Sequence, residues 1–141
     1  MGHTTRLAMN TALKNVVVPH LREHGFKGSL PHFRRKQQTH IDLITFQFNR
    51  YGGSFVVELT TCPVEGVLNC WGEQIPFNKL IAHDVNTRYR LTTGTTATDK
   101  WFDYETCTND QQFEVVAYAV KQLLHIHEPN WIPKLLLQQE Q

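Results

Sequence analysis

The hydrophobic pattern predicts an α+β fold, a curved antiparallel sheet of about four to five strands with an N-terminal and a C-terminal helix packed on one face. Two observations carry this. A stretch near each end of the chain repeats apolar residues at helical spacing, and between them two runs alternate apolar and polar residues on either side of a Gly-Gly turn.

In chain order, Thr4 or Thr5 can cap a first helix in which Leu13, Val16, Val17 and Leu21 share one stripe, and Gly25 is suited to end it. Pro19 lies inside that helix and should kink it or restart its first turn, because its nitrogen cannot donate. From Leu30 to Lys36 the chain is short, basic and aromatic, and Pro31 confines a strand there to an edge or a start. His40 to Asn49 then alternates, with Ile44, Phe46 and Phe48 on one face and Ile41, Leu43, Thr45 and Gln47 on the other. After a turn at Tyr51, Gly52 and Gly53, Phe55, Val57 and Leu59 face one way while Val56, Glu58 and Thr60 face the other.

Pro63, Gly66, Gly72 and Pro76 break the pattern, and Thr92 to Thr98 is nearly all Thr, Gly and Ala, so loops are expected over 63–98. Short strands fit Thr87 to Leu91 and Lys100 to Glu105. A second helix should begin near Asn109, with Thr108 and Gln111 at capping-box spacing and Phe113, Val116, Ala117, Val120 and Leu124 on one stripe, and should stop at Pro129. The domain reading is a single α+β unit over residues 4–132 and a C-terminal tail over 133–141.

With 141 residues, 40% hydrophobic and 19% charged, the chain has the size and composition of one self-sufficient globular domain. No apolar run approaches the roughly 18–20 residues of a membrane span, and no signal peptide is recognisable, so a cytoplasmic location without membrane attachment is expected. Cys62, Cys70 and Cys107 form no C-x-x-C pair, and their odd number argues for free thiols. Net charge is +1, yet residues 1–50 carry eight Lys/Arg against two carboxylates and the remainder six against eleven. Such asymmetry fits either an anionic partner for the first half or two halves that attract within one fold.

The run Gly25-Phe26-Lys27 closing the first helix, then Pro31-His32-Phe33-Arg34-Arg35, Ile41-Asp42-Leu43 and Phe46-Gln47-Phe48-Asn49, resembles the bacterial domain of unknown function 4304 family. Arg88-Tyr89-Arg90-Leu91 and Trp101-Phe102-Asp103-Tyr104-Glu105 are similar to its second half, and the likeness covers residues 7–132. The segment from Cys62 to Ala82 is less like that pattern. The resemblance implies a small α+β domain with no catalytic residue, cofactor or ligand to carry over.

Among possible sites, His20 and His24 stand at i, i+4 without the Glu and third ligand of a zincin helix, which favours a solvated helix face. His125 and His127 are two apart and diverge. His32 and His40 could meet across a hairpin near Asp42 or Glu58 as a mixed nitrogen and oxygen site. Asp99, Asp103 and Glu105 beside Trp101 and Tyr104 are the acid–base candidates, and strand ends explain them equally. No base neighbours the cysteines, and Walker, G-x-G-x-x-G and G-x-S-x-G motifs are absent.

Arg34, Arg35 and Lys36 near Phe33, with Arg22 and Lys27, could form a phosphate-binding patch, although the alternation turns Phe55 and Val57 inward rather than toward a nucleotide. Trp101 and Trp131 fit core or rim packing, and Trp71, if exposed, would be an anchor for a protein partner. The sequence therefore favours a noncatalytic protein-interaction module, or self-association, using the sheet face or the loops of 63–98. Binding candidates are His32, Arg34, Arg35, Lys36, Trp71, Arg88, Arg90 and Trp101. Nucleic-acid binding through residues 22–36 is the alternative and a metal-dependent or hydrolytic enzyme the third reading, with no cofactor, metal or small-molecule ligand assigned.

Overall fold

The computed structural model describes residues 2–91 and 101–140, with side chains over 5–91 and 101–126. Thr92 to Lys100, Asp99 among them, and the side chains of Thr4, His127 and Trp131 lie outside the described residues.

Helix α1 (Gly2–Glu23) buries Met9, Ala12, Leu13, Val16, Val17 and Leu21 along the expected stripe. It starts ahead of Thr4 and Thr5, so neither caps it; a cap must stand outside the first turn. Pro19 lies within the continuous helix, exposed, where it costs one backbone donor. The helix closes as a Schellman turn: Phe26 N–H donates to the Leu21 carbonyl (3.0 Å) and Gly25 N–H to that of Arg22 (3.1 Å). Gly25 sits at φ +89°, a conformation other residues adopt only with strain, and the turn drops Phe26 into the core beside Leu21.

Strands β1 (Lys27–Ser29), β2 (His32–Lys36), β3 (His40–Phe48), β4 (Ser54–Pro63), β5 (Tyr89–Arg90) and β6 (Phe102–Asp103) form one antiparallel sheet in the order β1-β2-β3-β4-β5. The Leu30–Pro31 peptide bond is cis and links β1 to β2. The strand number exceeds the expected four to five because two two-residue strands share the outer edge of β4: β5 opposite Glu58 and Leu59, and β6 opposite Ser54 and Phe55.

Helix α2 (Asp110–Glu140) is capped one residue later than the Thr108–Gln111 spacing implied. Asn109 Oδ1 accepts the Gln112 N–H (2.9 Å), and Gln112 Oε1 accepts from the Thr108 backbone (2.6 Å). The helix continues through Pro129, so the expected stop there is corrected. Proline's fixed φ is compatible with a helix, although inside one it removes a donor and crowds the carbonyl four residues back.

Phe33, Ile44, Phe46, Phe55, Val57 and Leu59 face the helices and build the main core with Phe113, Ala117, Val120 and Leu124 of α2. Both helices thus cover one sheet face, as the sequence predicted. The other face is closed too. Ile41, Leu43 and Cys62 pack under Leu80, Ala82 and Val85 of the segment between β4 and β5, with Val67, Ile75 and Phe77 at the margin. Two short 3-10 turns, Phe77–Lys79 and Ala82–Asp84, press that segment down.

Polar bonds fasten the same cover. Arg34 Nε donates to the Leu80 carbonyl (3.0 Å), Ala82 N–H to Thr45 Oγ1 (3.2 Å), and the Thr60 hydroxyl to the Thr87 carbonyl. Glu58 is buried and joins two residues of the segment, accepting from His83 Nε2 (3.1 Å) and Arg88 Nε (2.9 Å). Arg88 also donates to the Val85 carbonyl (2.7 Å). Both oxygens of this carboxylate thus tie β4 to the covering segment.

Candidate interaction surface

With both sheet faces covered, the clearest outward feature is the stretch 65–75, a hairpin standing on the second core. Its tip follows from sequence: Asn69 followed three residues later by Gly72 is a turn signal, the Asn side chain mimicking a backbone acceptor and glycine supplying a positive φ. Asn69 Oδ1 accepts the N–H groups of Trp71 and Glu73 (2.9 Å each), while Asn69 N–H donates to the Glu73 carbonyl (2.7 Å). Gly72, at φ +79°, donates to the Asn69 carbonyl (3.0 Å). Below the tip, Leu68 and Gln74 form a bridge, Ile75 N–H donates to the Val67 carbonyl (3.0 Å), and Gln74 Nε2 donates to the Glu65 carbonyl (2.6 Å). Val67 and Ile75 anchor the base in the second core.

Beyond that base the hairpin displays its apolar residues. Trp71 is 79% exposed and Leu68 59%, and Cys70 between them is an exposed free thiol. Leu68 and Glu73 were not singled out from sequence; the Asn69–Gly72 turn signal could have found them, since it places both at the hairpin end.

The other sequence candidates fall into separate places. Arg34 and Arg35 are both buried and point to opposite sheet faces, Arg34 to the Leu80 carbonyl and Arg35 to the Asp42 carboxylate (2.8 Å) and the His24 carbonyl (2.7 Å). The Arg35 guanidinium also lies over the Phe26 ring (4.3 Å). Phe33 is fully buried, which leaves Lys36, Arg22 and Lys27 as the exposed cations of the segment once read as a phosphate patch. Alternation along β2 is the cause: adjacent residues of a strand cannot share a face. Arg90 lies over Trp101 (5.7 Å), which is 40% exposed at the far edge of the sheet. Arg88 holds Glu58. The described ion pairs Arg35–Asp42 and Arg88–Glu58 each lie within one half of the chain, so they do not join the two oppositely charged halves.

His32 and His40 do not meet. His32 pairs with Thr45 at one end of the β2–β3 hairpin and lies on the covered face, whereas His40, opposite Pro63, shares the helix-side face with Asp42. His40 Nε2 stands 3.4 Å from Asp42 Oδ1, both atoms buried. His20 is 8% exposed and its ring lies 4.3 Å from that of His24, so that pair is not a solvated face; α2 packs over it, bringing His125 within 6.2 Å of His20. Among the described residues no group of three or more His, Cys, Asp or Glu side chains is placed to hold a metal ion. Asp103 and Glu105 are exposed, with Asp103 Oδ1 accepting the Glu105 N–H (2.8 Å) in a local turn.

Burial holds the pKa of His32 below the usual imidazole value, reinforced by His83 and Arg34 and opposed by Asp84. Thr45 Oγ1 accepts the Ala82 N–H (3.2 Å) and also hydrogen-bonds His32 Nδ1 (3.0 Å), which places the ring against the covering segment. A histidine with a lowered folded pKa binds protons more readily when unfolded. Stability should therefore fall as pH drops below about 6.5, and His32→Gln should flatten that slope in urea melts run across this range. An unchanged slope would remove His32 as the cause.

The thiols differ as well. Burial, with the Asp42 and Asp84 carboxylates, pushes Cys62 up to about 11, and burial with Asp103 raises Cys107. At neutral pH a thiol reagent should label Cys70 first, Cys70→Ser should abolish the fast phase, and denaturant should expose all three cysteines. Fast labelling of Cys62 would contradict the closed second core.

Among the described residues no helix is long and apolar enough to cross a membrane. Compared with known proteins, residues 17–131 match the family model described as Domain of unknown function (DUF4304). No curated protein and no solved structure matches the chain.

Proposed function

We propose, from the premise that the chain belongs to the DUF4304 family, whose description assigns no activity, that it is a noncatalytic protein-interaction module whose contact surface is the 65–75 hairpin. The observation that carries this reading is Trp71, 79% exposed on a turn that Asn69 locks from three sides. Exposed tryptophan is common at the energetic centres of interfaces, and a turn already ordered spends little entropy on binding.

The fold itself has little use for the Trp71 side chain, so Trp71→Ala should leave stability within about 0.5 kcal/mol of the parent. Nuclease-treated lysate of the source cells, passed over immobilised parent and variant chains, should yield a protein retained by the first and lost with the second. Equal retention on both would sink the reading. Retention that depends on nucleic acid would instead favour the exposed cations Arg22, Lys27 and Lys36.

A further inference from the structure

From the hairpin's charge we infer that its partner is a different protein that presents a cationic segment, lysine or arginine beside an aliphatic or aromatic side chain, to Trp71 and Leu68. This inference rests on the interaction reading above and adds the chemistry of the occupant. Residues 51–78 contain no Lys or Arg and three glutamates. Glu58 is buried against His83 and Arg88, which leaves Glu65 and Glu73 as the charges of the hairpin. Both are exposed, and neither takes part in an ion pair among the described residues. Glu73 lies two residues from Trp71, and the backbone N–H groups of both are tied to Asn69 Oδ1 in the same turn.

An apolar pair between two uncompensated carboxylates repels an acidic surface and attracts a basic one. Charges at the rim of a contact set encounter rate and partner choice, while the ring at its centre supplies the binding energy. Arginine suits both parts, because its planar guanidinium stacks on an indole and forks onto a carboxylate. A second copy of this chain offers fewer such cations than its sequence suggests. Arg34 and Arg35 of its most basic run are buried on internal bonds, which leaves Arg22, Lys27, Lys36 and Arg50 exposed, and sedimentation tests whether these engage the hairpin.

The test is selection of displayed random peptides on the immobilised full chain, with Trp71→Ala as counter-selection. Synthetic copies of the winners are then titrated at low and high salt against the parent, Trp71→Ala and Glu73→Lys. The expected winners combine Lys or Arg with an aromatic or aliphatic residue. They should lose about tenfold or more in affinity on Trp71→Ala and severalfold on Glu73→Lys or in high salt. Winners that depend on Trp71 but ignore Glu73→Lys and salt overturn the cationic partner while the interaction reading stands. Failure to obtain any Trp71-dependent peptide overturns both. Concentration-dependent dimerisation of the parent, lost in Trp71→Ala on sedimentation, would replace the foreign partner with a second copy.

Discussion

Replacing Asp42 by alanine should lower the unfolding free energy by about 3–5 kcal/mol, the range for breaking one side of a buried ion pair. Asp42 is fully buried at the end of β3, where its Oδ2 accepts from Arg35 Nε (2.8 Å) and Gln37 Nε2 (3.3 Å). Arg35 in turn donates to the His24 carbonyl and covers Phe26, so one carboxylate ties the end of α1 to the strands β2 and β3. Alanine removes the negative charge and leaves the Arg35 guanidinium in a site that excludes water. The pair need not be stabilising in itself, because its desolvation offsets most of its attraction. The double variant Arg35→Met/Asp42→Leu should therefore recover much of the loss. Urea denaturation of the three chains decides the matter: an Asp42→Ala variant within about 1 kcal/mol of the parent would show the site to be wet and the pair dispensable.

A loss of about 3–5 kcal/mol is also expected for Phe55→Ala, for a different reason. Phe55 is fully buried at the start of β4 and stands among four rings: Phe48 (5.2 Å between centroids), Phe102 (5.3 Å, stacked), Tyr104 (6.2 Å) and Phe46 (6.3 Å). Alanine leaves a cavity that four rigid rings cannot collapse to fill. The damage should concentrate where the fold is thinnest. Strand β6 is held by two register partners, Ser54↔Asp103 and Phe55↔Phe102, and by the Tyr104 N–H on the Gly53 carbonyl (2.9 Å). Hydrogen exchange of the Tyr104 amide should accelerate more than that of amides in the centre of β3. Phe55→Leu, which keeps most of the volume, should cost about 1.5 kcal/mol. Equal costs for leucine and alanine would mean that the ring stack, rather than filled volume, is what matters.

Much of the architecture was legible in the sequence, for identifiable reasons. Alternation at Ile44, Phe46 and Phe48 and at Phe55, Val57 and Leu59 gave two adjacent strands and their inward face, because side-chain direction in a strand repeats every two residues. The stripes at Leu13, Val16, Val17 and Leu21 and at Phe113, Ala117, Val120 and Leu124 gave the two helices, and Gly25 marked the end of the first. These are local properties, fixed within a few residues of chain. Trp71 was singled out from residue type and loop context, with its exposure left open.

Tertiary structure decided what depends on residues far apart in sequence. Alternation distinguishes the two faces of a sheet but does not say which meets water, so Glu58, Thr60 and Arg34 read as polar surface until the segment between β4 and β5 closed over them. The basic run Arg34-Arg35-Lys36 looked continuous as text and is split by the pleat, with two of its charges spent on partners 46 and 7 residues away. His20 left the solvent when α2 packed across it, while His24 stays half-buried. Conversely, the hairpin at 65–75 became a candidate site when that cover was fastened at its base and left Trp71 and Leu68 outside. Secondary structure follows from short-range sterics and periodicity; burial follows from which distant segments the chain brings together.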